Sequence, residues 1–266
     1  MATGEHQDDG RSRRVLVVFD YDWSLVNENS DTLIFQQLCP ALLEELNARR
    51  ATQPSWTLLM DDLLTELSVR CPHVTRADIQ RVVAAIPIQE RMLEALRRTV
   101  EQYGADVVII SDANTVYIQS MLELHGLTEH VKRVFTNPAA FEDGTSRLRV
   151  APFHALDQPP HGCAWCPANM CKGAILDGIR RETPYDVVLY VGDGGGDFCP
   201  STRLTREISL TLTPSRDVVF ARDNDAHGKP YGLLKKLRVH ADKIHARVVP
   251  WRTGVDIFDG FEQALQ

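Results

Sequence analysis

Long apolar runs are missing from this 266-residue chain. No stretch approaches the ~20 apolar residues needed to cross a bilayer, which excludes an ion-pumping ATPase embedded in a membrane. The opening MATGEHQDDGRSRR has no apolar core of a secretory signal, so residues 1–13 read as a loose, disordered tail. Cysteine is sparse. Six residues are too few for a disulfide scaffold of this length, and reduced thiols with no leader predict a cytoplasmic protein. An excess of basic charge is missing too. The net charge of −7 argues against a nucleic-acid partner, whose phosphates demand a basic face. It leaves room for a locally positive pocket that takes a small anion. There is no internal repeat and no low-complexity segment. What remains, 44% hydrophobic and 24% charged residues, is enough to bury the core of one domain or two.

Three short apolar runs end in polar chemistry: VLVVFD at Asp20, ADVVIISD at Ser111 and Asp112, and YDVVLYVGD at Asp193. Continuous apolar runs of this length predict parallel strands buried on both faces. An open α/β sheet builds its site outside the carboxyl ends of such strands, in a Rossmann-like arrangement. Between the first two runs the texture becomes helical, with Leu58, Leu59, Leu63, Leu64 and Leu67 on one face and Met92, Leu93 and Leu96 on another. Pro40, Pro54, Pro72 and Pro87 break this stretch into several helices. Its length predicts an inserted helical cap over 28–105, with the core formed by 14–27 and 106–266. NTVYIQSMLELHGL and KGAILDGIRRE predict further helices, the first closed near Gly126.

The chemistry sits at the strand ends. FDYDWS offers Asp20 and Asp22, two carboxylates that a turn after the strand can aim into one cleft. A phosphoester hydrolase needs one carboxylate as nucleophile and a second group to manage the proton on the leaving oxygen. Taken alone, D-x-D also describes ordinary surface acids. Ser111, at the start of the next helix, offers a hydroxyl for a phosphate corner or for a helix N-cap. Lys172 in NMCKG can place a point charge against a phosphoryl group, although most lysines are solvated. VGDGGGDF supplies Asp193 and Asp197 as hard oxygen ligands on a loop whose glycines permit tight turning, and it also describes an exposed acidic turn.

In this order, the four motifs resemble the haloacid dehalogenase phosphatases from Val15 to about Leu237. FDYDWSLVNENSD, SDANT, CPANMCKG and VGDGGGDFCP are similar to the branch containing phosphoethanolamine/phosphocholine phosphatase and its pyridoxal-phosphate and pyrophosphate-cleaving relatives. The resemblance implies a Rossmann-like core with a helical cap and a magnesium-dependent phosphatase forming an aspartyl-phosphate. It implies Asp20 as nucleophile, Asp22 as acid and base, and Ser111 and Lys172 on the phosphoryl oxygens. It also implies Mg²⁺ on Asp20, Asp193 and the Asp22 carbonyl, with Asp197 in support. The substrate would be a small phosphorylated metabolite: phosphoethanolamine or phosphocholine first, then pyridoxal phosphate, thiamine monophosphate or pyrophosphate.

Ser24 stands where the superfamily has threonine, and Trp23 replaces a smaller or charged residue. Gly196 stands where many relatives have asparagine, which bears on the Asp193–Asp197 loop and on how Lys172 is oriented. Asp112 is the candidate to face a cationic headgroup, with Asn114 and Glu28 behind it and local capping as their plainer role. His161, Cys163, Cys166 and Cys171 have zinc-like spacing, although one short segment rarely wraps a metal tetrahedrally. A non-catalytic phosphate-ligand binder and a zinc-dependent interaction module are the alternatives from other functional classes.

Overall fold

The structure is a computed structural model and describes residues 13–53, 55–155, 158, 161–205, 216–224, 228 and 230–266. The expected tail, apart from Arg13, lies outside the described residues, as does Pro54. The strands are β1 (Val15–Phe19), β2 (Asp106–Asn114), β3 (Arg133–Asn137), β4 (Ala139–Phe141), β5 (Leu148–Val150), β6 (Val187–Gly192), β7 (Val218–Arg222) and β8 (Arg247–Trp251). The helices are α1 (Ser30–Leu38), α2 (Pro40–Arg49), α3 (Trp56–Arg70), α4 (Arg76–Ala84), α5 (Met92–Tyr103), α6 (Thr115–Leu124), α7 (Lys172–Glu182), α8 (Phe198–Ser201), α9 (Gly232–Val239) and α10 (Gly254–Leu265).

Six strands form one parallel sheet in the order β3-β2-β1-β6-β7-β8, and β4 pairs with β5 in a separate antiparallel hairpin. In β1, Val15, Val17 and Phe19 face one core while Leu16 and Val18 face the other. That explains why VLVVF is apolar at every position: alternation would leave one helix layer without a partner. Each fully buried large side chain contributes about 1.5–3 kcal/mol of transfer free energy. Phe19 and Phe261, with ring centres 5.9 Å apart, tie the sheet to α10. Leu176 and Ile179 of α7 and Leu233, Leu234 and Leu237 of α9 cover the opposite face. The three strands expected from sequence are present, and α6 ends before Gly126, which has φ +60°.

The direction in which strands are added reverses at β1, which has β2 on one side and β6 on the other. A switch point of this kind opens a crevice at the strand carboxyl ends. The helical stretch after β1 is organised differently from a single insertion over 28–105. Helices α1–α4 pack on one another, on α6 and on the β4–β5 hairpin, whereas α5 packs on α10. Arg98 pairs with Glu262 at 2.8 Å, and Arg91 stacks 3.4 Å above the Phe258 ring. The strongly amphipathic α5 therefore serves the sheet face and belongs with the core elements. The chain leaves the core at Asn27, whose N–H donates to the Pro87 carbonyl (2.6 Å) where the chain returns.

Candidate active site

After β1 the backbone wraps sharply. The Leu25 N–H returns to the Asp20 carbonyl and the Val26 N–H to the Tyr21 carbonyl, both at 3.1 Å. Trp23, at φ 59°, takes the left-handed conformation that a bulky residue rarely adopts. Arg222, buried at the end of β7, donates to the Trp23 carbonyl and sits 4.4 Å from the Tyr231 ring. Its anchoring role answers the question that Trp23 raises in the sequence: the wrap is held from the neighbouring strand. The wrap turns Asp20 and Asp22 into one cleft.

Lys172, the first residue of α7, donates to Asp20 Oδ1 and Asp197 Oδ1, both at 2.9 Å. Burial works against the charged lysine, but Asp197 and Asp20 outweigh it and hold its pKa well above the ordinary value. Asp20 is 6% exposed, and its pKa is raised first by burial and then by Asp197, against the pull of Lys172. Asp193 is pushed up to about 7 by burial and the neighbouring Asp197. One lysine is thus too little positive charge for the carboxylates gathered here.

Asp197 plays a part distinct from the other two acids. Its Oδ1 accepts from Lys172 and from the Tyr190 hydroxyl (2.8 Å), and its Oδ2 accepts from the N–H groups of Asp193 (3.2 Å) and Gly194 (3.0 Å). All of its hydrogen-bonding capacity goes into orienting Lys172 and the glycine loop. A Cβ at Gly192 would lie 2.6 Å from Asp197 Cγ, so glycine is needed there for close approach. Gly196 is different: a Cβ there would lie 3.9 Å from Lys172 Cε, an ordinary contact. With glycine at 196, Lys172 is nevertheless fixed between Asp20 and Asp197. Ser24 keeps the hydroxyl function, donating to Asp193 Oδ1 at 3.3 Å.

Asp22 accepts from the Ser30 N–H (2.9 Å), the Ser30 hydroxyl (3.2 Å) and Asn29 Nδ2 (3.2 Å). Burial, followed by the charge of Asp31, raises its pKa well above the carboxylate range, and the Ser30 bonds only partly oppose this. The shift is toward the protonated form, the one that can donate a proton.

These groups line a cavity of about 280 Å³ together with Trp23, Asn29, Asp31, Trp56, Asp112 and the three glycines of the loop. Asp112 is exposed at its wall. Ser111 is fully buried at the end of β2, with its Oγ accepting from the Ala113 N–H at 3.3 Å; it lies outside the lining residues. Asn114 caps α6 through the Tyr117 N–H (3.1 Å), and Glu28 accepts from the N–H of Asn29 (2.9 Å), the residue that caps α1. Sequence reasoning missed Asp31 and Trp56, whose indole N–H donates to Asp31 Oδ2 at 2.7 Å. Asp31 is pushed up to about 7 by burial. It stands inside the FDYDWSLVNENSD motif, but Trp56 comes from α3, and only the fold joins them.

The side-chain oxygens of Asp20, Asp193 and Asp197 lie within 4.8 Å of one another. Crowded hard oxygen donors, with the pKa of Asp20 and of Asp193 raised, and a single lysine fit a small divalent cation. The other quartet is altered. His161 Nδ1 accepts from the Cys163 N–H (3.1 Å) and Nε2 meets the Pro167 carbonyl (2.8 Å), so both ring nitrogens are occupied. Cys199 stands in its place beside Cys163, Cys166 and Cys171.

A crevice at a sheet switch point, lined by paired carboxylates, a buried lysine and an acidic glycine loop, defines a phosphatase of haloacid dehalogenase type. The sequence-family profile described as "Putative Phosphatase" matches residues 15–265, and the chain belongs to that family. It is 34% identical to the thiamine phosphate phosphatase-like protein of Arabidopsis thaliana, over 90% of either chain. It is 31% identical to the phosphoethanolamine/phosphocholine phosphatase of Homo sapiens, over 95% of this chain and 90% of that one. The fold matches the crystal structure of a phosphoserine phosphatase in apo form with a TM-score of 0.56 and 16% identity, covering 93% of this chain and 98% of that one. No helix among the described residues is long and apolar enough to cross a membrane.

Proposed function

We propose that the chain is a Mg²⁺-dependent phosphatase of small phosphomonoesters with a cationic headgroup, phosphoethanolamine or phosphocholine first, acting through an aspartyl-phosphate on Asp20. One observation carries this reading: a single small cavity holds Lys172 against Asp20 and also presents Asp31, Asp112 and the indoles of Trp23 and Trp56. The lysine suits a phosphoryl group. Carboxylates and indole faces suit an ammonium, by charge and by cation–π attraction. Pyrophosphate, anionic throughout, would meet Asp31 and Asp112 unfavourably. A volume of about 280 Å³ lies at the small end of ligand pockets, roughly 300–1,000 Å³.

The chain's own residues divide the work as follows. A carboxylate oxygen of Asp20 bonds to phosphorus as the ester P–O bond breaks, and Asp22 gives its proton to the leaving oxygen. Asp22, now a carboxylate, takes a proton from water as that water bonds to phosphorus and the Asp20–phosphorus bond breaks. Lys172 neutralises phosphoryl oxygens throughout; Ser111, the second phosphate-holding group that the family resemblance implies, sits just behind the lining residues. Asp20, Asp193 and the Asp22 carbonyl would hold Mg²⁺, with Asp197 supporting; bound there, the ion offsets charge on the transferring group. Helices α1–α4 act as the cap, bringing Asn29, Asp31 and Trp56 to the cavity.

The test is phosphate release from phosphoethanolamine, phosphocholine, pyridoxal phosphate, thiamine monophosphate and pyrophosphate, with Mg²⁺ or with EDTA. The expected result is release that needs Mg²⁺, falls at least ~10⁴-fold in Asp20→Asn and has its highest kcat/KM on a cationic headgroup. A preference for pyrophosphate would sink the headgroup assignment. No release from folded protein on any substrate would sink the enzyme reading in favour of a phosphate-ligand binder.

A further inference from the structure

Among the described residues, Cys163, Cys166, Cys171 and Cys199 form a second cluster of metal-type ligands, and the phosphatase reaction has no use for them. All four sulfurs lie within 4.8 Å of one another. Cys199 Sγ is 3.6 Å from Cys163 Sγ and 3.9 Å from Cys171 Sγ. A tetrahedral Zn²⁺ with Zn–S bonds of about 2.3 Å sets its sulfurs about 3.8 Å apart. The two Cys199 distances already match that edge, and the remaining pairs lie within 4.8 Å. All four are free thiols.

The difficulty with a site built from one short segment also disappears. Cys163, Cys166 and Cys171 come from the loop leading into α7, while Cys199 comes from α8, 28 residues beyond Cys171. Two positive groups face the sulfurs. The Ala174 N–H donates to Cys171 Sγ (3.4 Å) at the positive end of α7, and the Arg203 guanidinium lies beside Cys199. The fit is close: a Cβ at Gly173 would lie 2.6 Å from Cys199 Sγ, so only glycine lets α7 approach the sulfur. His161 braces the loop from outside, as its two ring contacts require. Cys171 and Cys199 are buried while Cys163 and Cys166 are partly exposed, which leaves a route for an ion from solvent.

We propose that these four cysteines bind one structural zinc ion, closed on all sides by protein sulfur, that clamps the start of α7 to α8. As each Zn–S bond forms, a thiol gives its proton to solvent, and no electron changes hands. Four thiolates leave no open position for substrate, so the site is structural. Its effect on catalysis is positional: Cys171 precedes Lys172, and Cys199 follows Asp197 by two residues.

The test is metal analysis of the full chain, purified from zinc-supplemented medium without chelator. The expected result is one zinc per chain, released in step as a mercurial blocks the thiols. The Co²⁺-substituted protein should show the intense visible bands of a tetrahedral tetrathiolate. Cys166→Ser and Cys199→Ser should lose the metal, and Cys39→Ser, outside the cluster, should keep it. Should the serine variants fail to fold, the mercurial titration and the cobalt spectrum of the unaltered chain decide alone. Iron in place of zinc, protein free of metal after zinc supplementation, or an intact mass showing paired cysteines would each overturn the proposal. Metal content is read without any phosphate assay, so this result stands apart from the fate of the phosphatase reading.

Discussion

Two groups of metal-type ligands lie side by side, with Asp197 in one and Cys199 in the other. The carboxylate group is hard, opens into the cavity and carries a buried lysine in its midst. The sulfur group is soft, half-buried and set between the start of α7 and α8, with the Arg203 guanidinium beside it. The difference separates a site built for exchange from one built for permanence. An ion that must meet substrate and water needs ligands it binds loosely and positions left open, whereas an ion that only fastens two helices does not.

The largest expected break in this comparison comes from Lys172→Met. It removes the one cation shared by Asp20 and Asp197, and leaving a buried partner uncompensated costs about 3–5 kcal/mol. Thermal melts should show that loss, and kcat should fall by roughly 10²–10³. Zinc content should stay unchanged. Asp193→Asn should act on one site alone, raising the Mg²⁺ concentration for half-maximal activity by about 10–100-fold, again with zinc retained. Loss of both metals in that variant would show that the two groups are not independent.

Asp31→Asn sharpens the contrast within the cavity. KM for phosphocholine should rise about 10-fold, as for loss of one charge-assisted contact of ~1.4 kcal/mol, while KM for an aryl phosphate, whose leaving group is uncharged, should hold. For the unaltered chain, Asp31 ionises as pH rises through about 7, so KM for the cationic substrate should fall across that window. The same shift has a stability sign. A carboxyl raised from 3.8 to about 7 favours folding below 3.8 and loses that contribution as pH rises through about 7. Asp31→Asn should therefore gain in melting temperature relative to the parent over that range. The smallest effect belongs to Gly196→Asn, for which the spacing to Lys172 leaves room; kcat should change by less than about twofold, within the ±0.5 kcal/mol of tolerated substitutions.

Much of this was legible in the chain. β1, β2 and β6 were readable because strands buried on both faces leave continuous apolar runs, and the strand ends then located Asp20, Asp112 and Asp193. α5 was harder to place, because its leucines and charged residues have the same texture as those of α1–α4, and only packing on α10 assigns it to the core. The three-residue strands β4 and β5 are too short for any periodicity to register. Cys199 and Trp56 escaped for a different reason. Each is far in sequence from the group it completes, and spacing rules see only near neighbours.

The narrow crossing at Asn27 and Pro87 has a mechanical consequence, because it is not the cap's only support. Gln89 steadies that corner, reaching both Asn27 (3.2 Å) and the Arg252 carbonyl (3.1 Å). On the far side α4 packs on α6 and α3 on β5, and Arg149 pairs with Asp61 at 3.1 Å. Seated at both ends, the cap carries Asp31 and Trp56 as standing walls of the cavity, so an entering molecule meets a surface already shaped.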